Sequence, residues 1–292
     1  MIHRQAWRGL LPAVAVTTAL CSAPAQARTR TTPPASPALK SNAVYVLDET
    51  NSAVVLSRQS DVAMPIASIT KLMTALVVLE AGQPLDEAIE ITTDDRSFPK
   101  STGSRLEVGT SLSRADLLHL ALMSSENRAA HALGRSYPGG LPACIEAMNA
   151  KARALGMHST RFVEPTGLSS DNVASSEDLA KLVQAAAGSP KIQEYSTDKS
   201  YTVPVRRHPV EFRNTDSLVG NPTWNIIVQK TGYIAEAGRC LVMKAIFEGR
   251  SVVIVLLDSA GKHTRVADAR RIRKWLESRL AAEPVRPAID KA

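Results

Sequence analysis

The apolar pattern of the chain begins with a period of two. Residues 43–48 (AVYVLD) and 52–58 (SAVVLSR) are β-rich runs on either side of Glu49-Thr50-Asn51, which predicts a hairpin. From Ser68 the period lengthens. Leu72, Ala75, Leu76 and Leu79 recur at helical spacing until Gly82, predicting a helix over Ser68–Ala81. Helical patterns dominate the middle of the chain: Arg114–Met123 behind a Ser113 cap, Glu126–Gly134, Pro142–Leu155 and Ser176–Ala187. The last third returns to strands at Tyr201–Val205, Ile226–Gln229, Cys240–Glu248 and Ser251–Asp258. A closing helix spans about Thr264–Leu280, with Val266, Ile272, Trp275, Leu276 and Leu280 on one face.

Strands at both ends with helices between them predict an α/β (α+β) fold, in which the chain leaves an antiparallel sheet and rejoins it. The closing helix covers one face of that sheet. The expected division is a sheet lobe (42–83 and 195–281) and an inserted, mostly helical lobe (84–194), with the site in the cleft between them. Residues 282–292 read as a disordered tail without an amphipathic anchor, so no stable membrane anchor is expected.

The N-terminus changes the picture of where the protein works. Arg4 and Arg8 precede an apolar run, Leu10–Leu20, and Ala25-Gln26-Ala27 supplies a small-x-small cleavage pattern. Residues 1–27 therefore read as a cleaved secretory signal and 28–41, rich in Thr, Pro and Ser, as a flexible leader. Cys144 and Cys240 remain after cleavage; two cysteines set no framework, and buried free thiols are the expected state. No Cys/His cluster has metal-ligand spacing, so neither metal nor cofactor is expected. The net charge of +7 falls by two when the signal is lost. The remaining basic residues are scattered rather than interleaved with aromatics, which argues against nucleic acid as a partner.

Candidate chemistry lies in three short motifs in fixed order: Ser68-Ile69-Thr70-Lys71, Ser125-Glu126-Asn127 and Lys230-Thr231-Gly232. Singly the first two mean little. Ser97-Phe98-Pro99-Lys100, Ser196-Thr197-Asp198-Lys199 and Ser259-Ala260-Gly261-Lys262 also fit S-x-x-K, and Ser170-Asp171-Asn172 rivals the second motif. Context separates them. Ser68 opens a helix that puts Lys71 on the same face, Ser125 follows an apolar helix, and Lys230-Thr231-Gly232 follows a β-run.

A serine hydroxyl needs an adjacent base to act as a nucleophile near neutral pH. Lys71, one turn on, fills that role if burial and the second cation, Lys230, lower its proton affinity. Substrate-assisted and Ser125-mediated routes remain open. Ser125 would relay a proton to the leaving amine, and Asn127 would hold Lys71 or a substrate amide. Lys230 and Thr231 would bind a substrate carboxylate, and Gly232 would let the substrate backbone approach. An oxyanion would sit between two backbone N–H groups, one of them from Ser68.

At these residues the chain resembles the low-molecular-mass penicillin-binding proteins, serine D-Ala-D-Ala peptidases, over about residues 42–280. The segments PIASITKLMTA, LMSSENRAAHALG, RFVEPTGLS and QKTGYIAEAGRCLVM are most similar to the D-alanyl-D-alanine endopeptidase branch. The resemblance implies a transpeptidase/β-lactamase-like fold, an acyl-enzyme at Ser68 acting on peptidoglycan peptides in the periplasm, and inhibition by β-lactams. It further implies that Tyr233 gives the second oxyanion N–H and that Arg265 contacts the substrate carboxylate. The alternatives, in order, are a D-Ala-D-Ala carboxypeptidase, a β-lactamase and a non-catalytic wall- or β-lactam-binding module. Class A β-lactamases use a loop glutamate in E-x-x-L-N, and Glu164-Pro165-Thr166-Gly167-Leu168 lacks that register.

Overall fold

A computed structural model describes Met1, residues 35–96 and residues 103–282, with the side chains of 280–282 excepted. The signal, most of the leader, the Ser97–Lys100 motif and the tail beyond 282 lie outside the described residues. In chain order the elements are β1 (Ser41–Asp48), β2 (Ala53–Arg58), β3 (Met64–Pro65), α1 (Thr70–Glu80), β4 (Ala88–Glu90), β5 (Ser111–Ser113), α2 (Arg114–Met123) and α3 (Asn127–Arg135). They continue with α4 (Gly140–Ala154), β6 (Val173–Ala174), α5 (Ser176–Ala186), α6 (Pro190–Thr197), β7 (Ser200–Val205) and β8 (His208–Arg213). Three long strands, β9 (Asn225–Ile234), β10 (Gly238–Phe247) and β11 (Arg250–Ser259), precede the closing helix α7 (Thr264–Ala282).

The long strands and the first hairpin form one antiparallel sheet in the order β2-β1-β11-β10-β9. The central strands β10 and β11 carry nearly unbroken apolar runs because both their faces are covered. Val253, Val255 and Leu257 of β11 point into a core shared with α1, α2 and α5, where Leu72, Leu117 and Leu179 are buried. Val252, Ile254 and Leu256 point the other way and meet Ile272, Trp275 and Leu276 of α7. The expected cover of one sheet face by the closing helix is thus observed. Its start is tied to the sheet through Asp268, whose carboxylate accepts from Lys40 N (2.9 Å), Ser41 N (2.7 Å) and Ser41 Oγ (2.7 Å).

The starts of α2, α5 and α6 follow their side-chain signals. Ser113 caps α2 in a capping box with Asp116. Ser175 and Ser189 accept from the N–H groups of Asp178 and Ile192 to cap α5 and α6. Tyr201–Val205 forms a strand as read, but it pairs with β8 in a separate hairpin. Its turn places Arg206 and Arg207 at φ +43° and +71°.

Candidate active site

Ser68 does not lie in an α-helix proper. It sits in a 3₁₀ turn, Ala67–Ile69, that feeds α1, and Ala67 adopts φ +47°. Two glycines clamp this turn. A Cβ on Gly232 of β9 would come within 2.9 Å of Ile66 O and 3.1 Å of Ser68 N. A Cβ on Gly167, at φ +82°, would come within 2.0 Å of Ala67 O. Only residues without a side chain let the strand and the 164–172 loop close on the nucleophile from both sides.

One turn into α1, Lys71 is fully buried, and its Nζ lies 2.8 Å from Ser68 Oγ, 2.8 Å from Asn127 Oδ1 and 2.6 Å from Thr166 O. Burial brings its pKa down to about 7, against the opposing pull of Glu164 and Glu126. The direction of the serine hydrogen bond follows the protonation of Lys71, which as the ammonium donates to Ser68 Oγ. Asn127 Oδ1 and Thr166 O only accept, so they take both N–H bonds of a neutral amine. The lone pair is left for the Ser68 hydroxyl, which donates to it. In this state Lys71 Nζ can accept a proton from Ser68 Oγ.

The 164–172 loop is held by a carboxylate. Glu164 accepts from Thr166 N (2.6 Å), Thr166 Oγ1 (2.6 Å), Gly167 N (2.6 Å), Ser169 N (3.3 Å) and Asn172 Nδ2 (2.6 Å). Asn172, completely buried, also accepts from Val163 N, so the Ser170-Asp171-Asn172 match is a loop brace. The other S-x-x-K matches within the described residues are structural too. Ser196 donates to Gln193 O in α6, and Ser259 bonds Ser41 across the sheet.

Ser125 joins α2 to α3 in the left-handed region, φ +61°, followed by Glu126 at the N-cap of α3. Glu126 is buried, accepts from Ser104 Oγ (2.5 Å) and Arg128 N (3.2 Å), and so fixes the junction that presents Asn127. Among the described residues no hydrogen bond joins Ser125 Oγ to Ser68 or Lys71.

On β9, Lys230 is fully buried and donates to Thr231 O at 3.0 Å. Burial holds its pKa well below the ordinary lysine range. The cations Lys71 and Arg265 push the same way, and Asp216 opposes them. Thr231 Oγ1 shares a hydrogen bond with Thr215 Oγ1 at 2.6 Å. Arg265, at the start of α7, donates to Gly232 O (2.8 Å) and Cys240 O (3.3 Å). Tyr233 stands at the rim, 56% exposed.

The structure therefore links Ser68, Lys71 and Asn127 directly, sets Lys230 within electrostatic reach of Lys71, and places Thr231, Gly232, Tyr233 and Arg265 around one end of β9. Sequence reasoning missed the Thr166 carbonyl and Asp216. The first is a main-chain atom that no residue type announces. The second is a carboxylate that is 2% exposed in an unremarkable polar stretch.

Known proteins carry related chains. The sequence model of the D-alanyl-D-alanine carboxypeptidase family matches residues 28–261. The chain is 50% identical over 243 residues to a D-alanyl-D-alanine endopeptidase of Pseudomonas aeruginosa, covering 82% of this chain and 78% of that protein. It is 45% identical over 251 residues to the Escherichia coli D-alanyl-D-alanine endopeptidase, covering 83% and 79%. Among solved structures, the Streptomyces K15 DD-transpeptidase superposes with a TM-score of 0.77 at 25% identity, over 85% of this chain and all of that one.

Proposed function

This chain belongs to the D-alanyl-D-alanine carboxypeptidase family, and within it we propose a serine D-alanyl-D-alanine endopeptidase that hydrolyses D-Ala cross-links of peptidoglycan. The observation that carries the reading is Lys71 Nζ, buried, held by two carbonyl acceptors and 2.8 Å from Ser68 Oγ.

In this reading Ser68 Oγ attacks the D-Ala carbonyl as its proton passes to Lys71 Nζ. The resulting oxyanion lies between the N–H groups of Ser68 and Tyr233. Collapse breaks the amide; the proton reaches the leaving amine by way of Ser125, leaving an acyl ester on Ser68. Water then hydrolyses the ester and restores the serine. Thr231 and Arg265 hold the carboxylate next to the scissile bond, Lys230 backs it from the opposite face of β9 through the Thr231 carbonyl, and Asn127 orients Lys71. Resting-state hydrogen bonds of such groups are often long, so the relay through Ser125 belongs to the substrate complex.

The involvement of Glu164 in five hydrogen bonds supports a peptidase over a class A β-lactamase, because that carboxylate is occupied in bracing the loop. The signal-like N-terminus supports export to the periplasm. Among the described residues no helix is long and apolar enough to cross a membrane.

Brief exposure to benzylpenicillin followed by intact-mass and peptide mapping tests the assignment. A persistent adduct on the Ser68 peptide, absent in Ser68→Ala, is expected, with release of linear stems from cross-linked muropeptides. Rapid turnover without an adduct would favour a β-lactamase. No adduct and no hydrolysis would sink the nucleophile assignment.

A further inference from the structure

Strand β9 sends alternate side chains to opposite faces. Lys230 and Gly232 pair with Val242 and Cys240, which face the helical core, and they look toward Lys71 and the Ser68 turn. Thr231 pairs with Leu241, which packs against the α7 side, so Thr231 and Tyr233 share that other face. Arg265 reaches the same end of β9 from the start of α7. Directly across from Tyr233 on β10 is Arg239.

Tyr233 and Arg239 form an unusual pair. The tyrosine is a large side chain left 56% exposed at the lip of the site. The Arg239 guanidinium lies over its ring, 4.4 Å from the centroid, and is near enough to Arg265 for the two cations to repel. Among the described residues no carboxylate lies within ion-pair distance of Arg239. Asp216 offsets this repulsion from the Arg265 side, and the negative charge of a ligand would relieve it at Arg239. Stacking on the ring restrains the fork of donors, so little side-chain entropy is lost when a carboxylate docks.

The position of the pair indicates which part of a substrate it meets. Thr231 and Arg265 take the carboxylate beside the scissile bond, which belongs to the leaving side. When the leaving group is a single D-Ala, nothing extends beyond that carboxylate. When it is the neighbouring stem of a cross-link, a longer peptide with further carboxylates continues outward on the same face. The next groups it encounters are the Tyr233 ring and Arg239.

We infer that Arg239, held over Tyr233, is a second anion subsite for the leaving-side stem peptide and selects cross-linked peptides over those ending in D-Ala-D-Ala. This inference rests on the endopeptidase reading and adds a specificity residue to it.

The test compares kcat/KM of wild type, Arg239→Gln and Arg239→Lys for a cross-linked muropeptide dimer and a linear peptide ending in D-Ala-D-Ala. Benzylpenicillin acylation of Ser68 is measured on the same preparations as a check of folding. Losing one charge-assisted contact is expected to lower the cross-linked to linear ratio about tenfold in Arg239→Gln. Arg239→Lys, which keeps the charge but not the planar fork, should recover part of that ratio. An unchanged ratio in Arg239→Gln overturns the subsite, whether both rates fall together or neither does. Wild type that cuts the linear peptide and not the dimer would overturn the endopeptidase reading itself, and the subsite with it.

Discussion

Lys71 turns acylation of Ser68 into a titration. Its amine has a pKa of about 7 in place of the ordinary 10.5 because it is removed from water. A shift of that size corresponds to about 5 kcal/mol of differential interaction between the two protonation states. The protonated form cannot take the serine proton, so the rate follows the neutral fraction. That fraction is about 1% at pH 5 and about 90% at pH 8, so the rate falls about tenfold per unit below pH 6 and levels off above pH 8. A lysine with an ordinary pKa would be neutral in about one molecule in 300 at pH 8, and the rate would still climb tenfold per unit toward pH 10. Stopped-flow acylation by a chromogenic cephalosporin from pH 5 to 10, at constant ionic strength, separates the two. Continued ascent past pH 9, or a flat profile throughout, would refute the argument that Lys71 is the base and that burial tunes it. Because Lys230 is also titratable and feels Lys71, any descending limb belongs to the coupled pair rather than to either lysine alone.

Other outcomes follow from the same geometry. Between about pH 7 and 10.5 the unfolded chain binds a proton at Lys71 that the folded chain does not, so this residue makes stability rise with pH across that window. Lys71→Met should flatten that slope in urea titrations at pH 7, 8.5 and 10 while abolishing acylation; an unaltered slope would contradict the depressed pKa. Gly167→Ala drives a methyl into Ala67 O and is expected to lower Tm by roughly 6–12 °C and acylation at least a hundredfold. Gly82→Ala, at φ +67° with open space around it, should cost about 1–2 kcal/mol and leave acylation intact. Cys144 and Cys240 are both buried and free, and burial pushes their pKa values up to about 12 and about 11. Neither should react with a thiol-specific chromogenic disulfide until the protein is unfolded, and stoichiometric labelling of native protein would contradict this.

Elements whose signals are local were readable from the sequence. The Ser113 cap, the heptad-like run after Ser68 and the two-faced apolar strands β10 and β11 each follow from neighbours within a few residues. Helix α6 escaped notice although Ser189-Pro190 is a proper start, because KIQEYST is short and polar and buries only Ile192, Tyr195 and Ser196. Strand β8 escaped because HPVEFR carries a proline and its turn uses two arginines at positive φ where Gly or Asn would have signalled a hairpin. The ordered motif set singled out Ser68, Lys71 and Asn127, which the structure joins by hydrogen bonds. The Thr166 carbonyl and the two-glycine clamp were not, because main-chain approach over a long sequence separation leaves no pattern in residue type. Glu164 lacks the register of a water-activating loop glutamate, and its five hydrogen bonds make it the fastening of a loop.

Among the described residues, the order β2-β1-β11-β10-β9 leaves β9 with one main-chain edge unbonded to any strand. A bare edge ordinarily invites another chain to pair with it. Here the 3₁₀ turn pressed against Gly232 narrows the approach, so a guest must be thin and extended to lie along the edge. A guest held through its main chain is recognised by backbone shape more than by the identity of its side chains. In the proposed reaction, a compact molecule that imitates that shape and carries a strained amide would be accepted by the same edge and captured by Ser68. Altering β9 to exclude the imitation would then also exclude the peptide, binding escape through this strand to a loss of the proposed reaction.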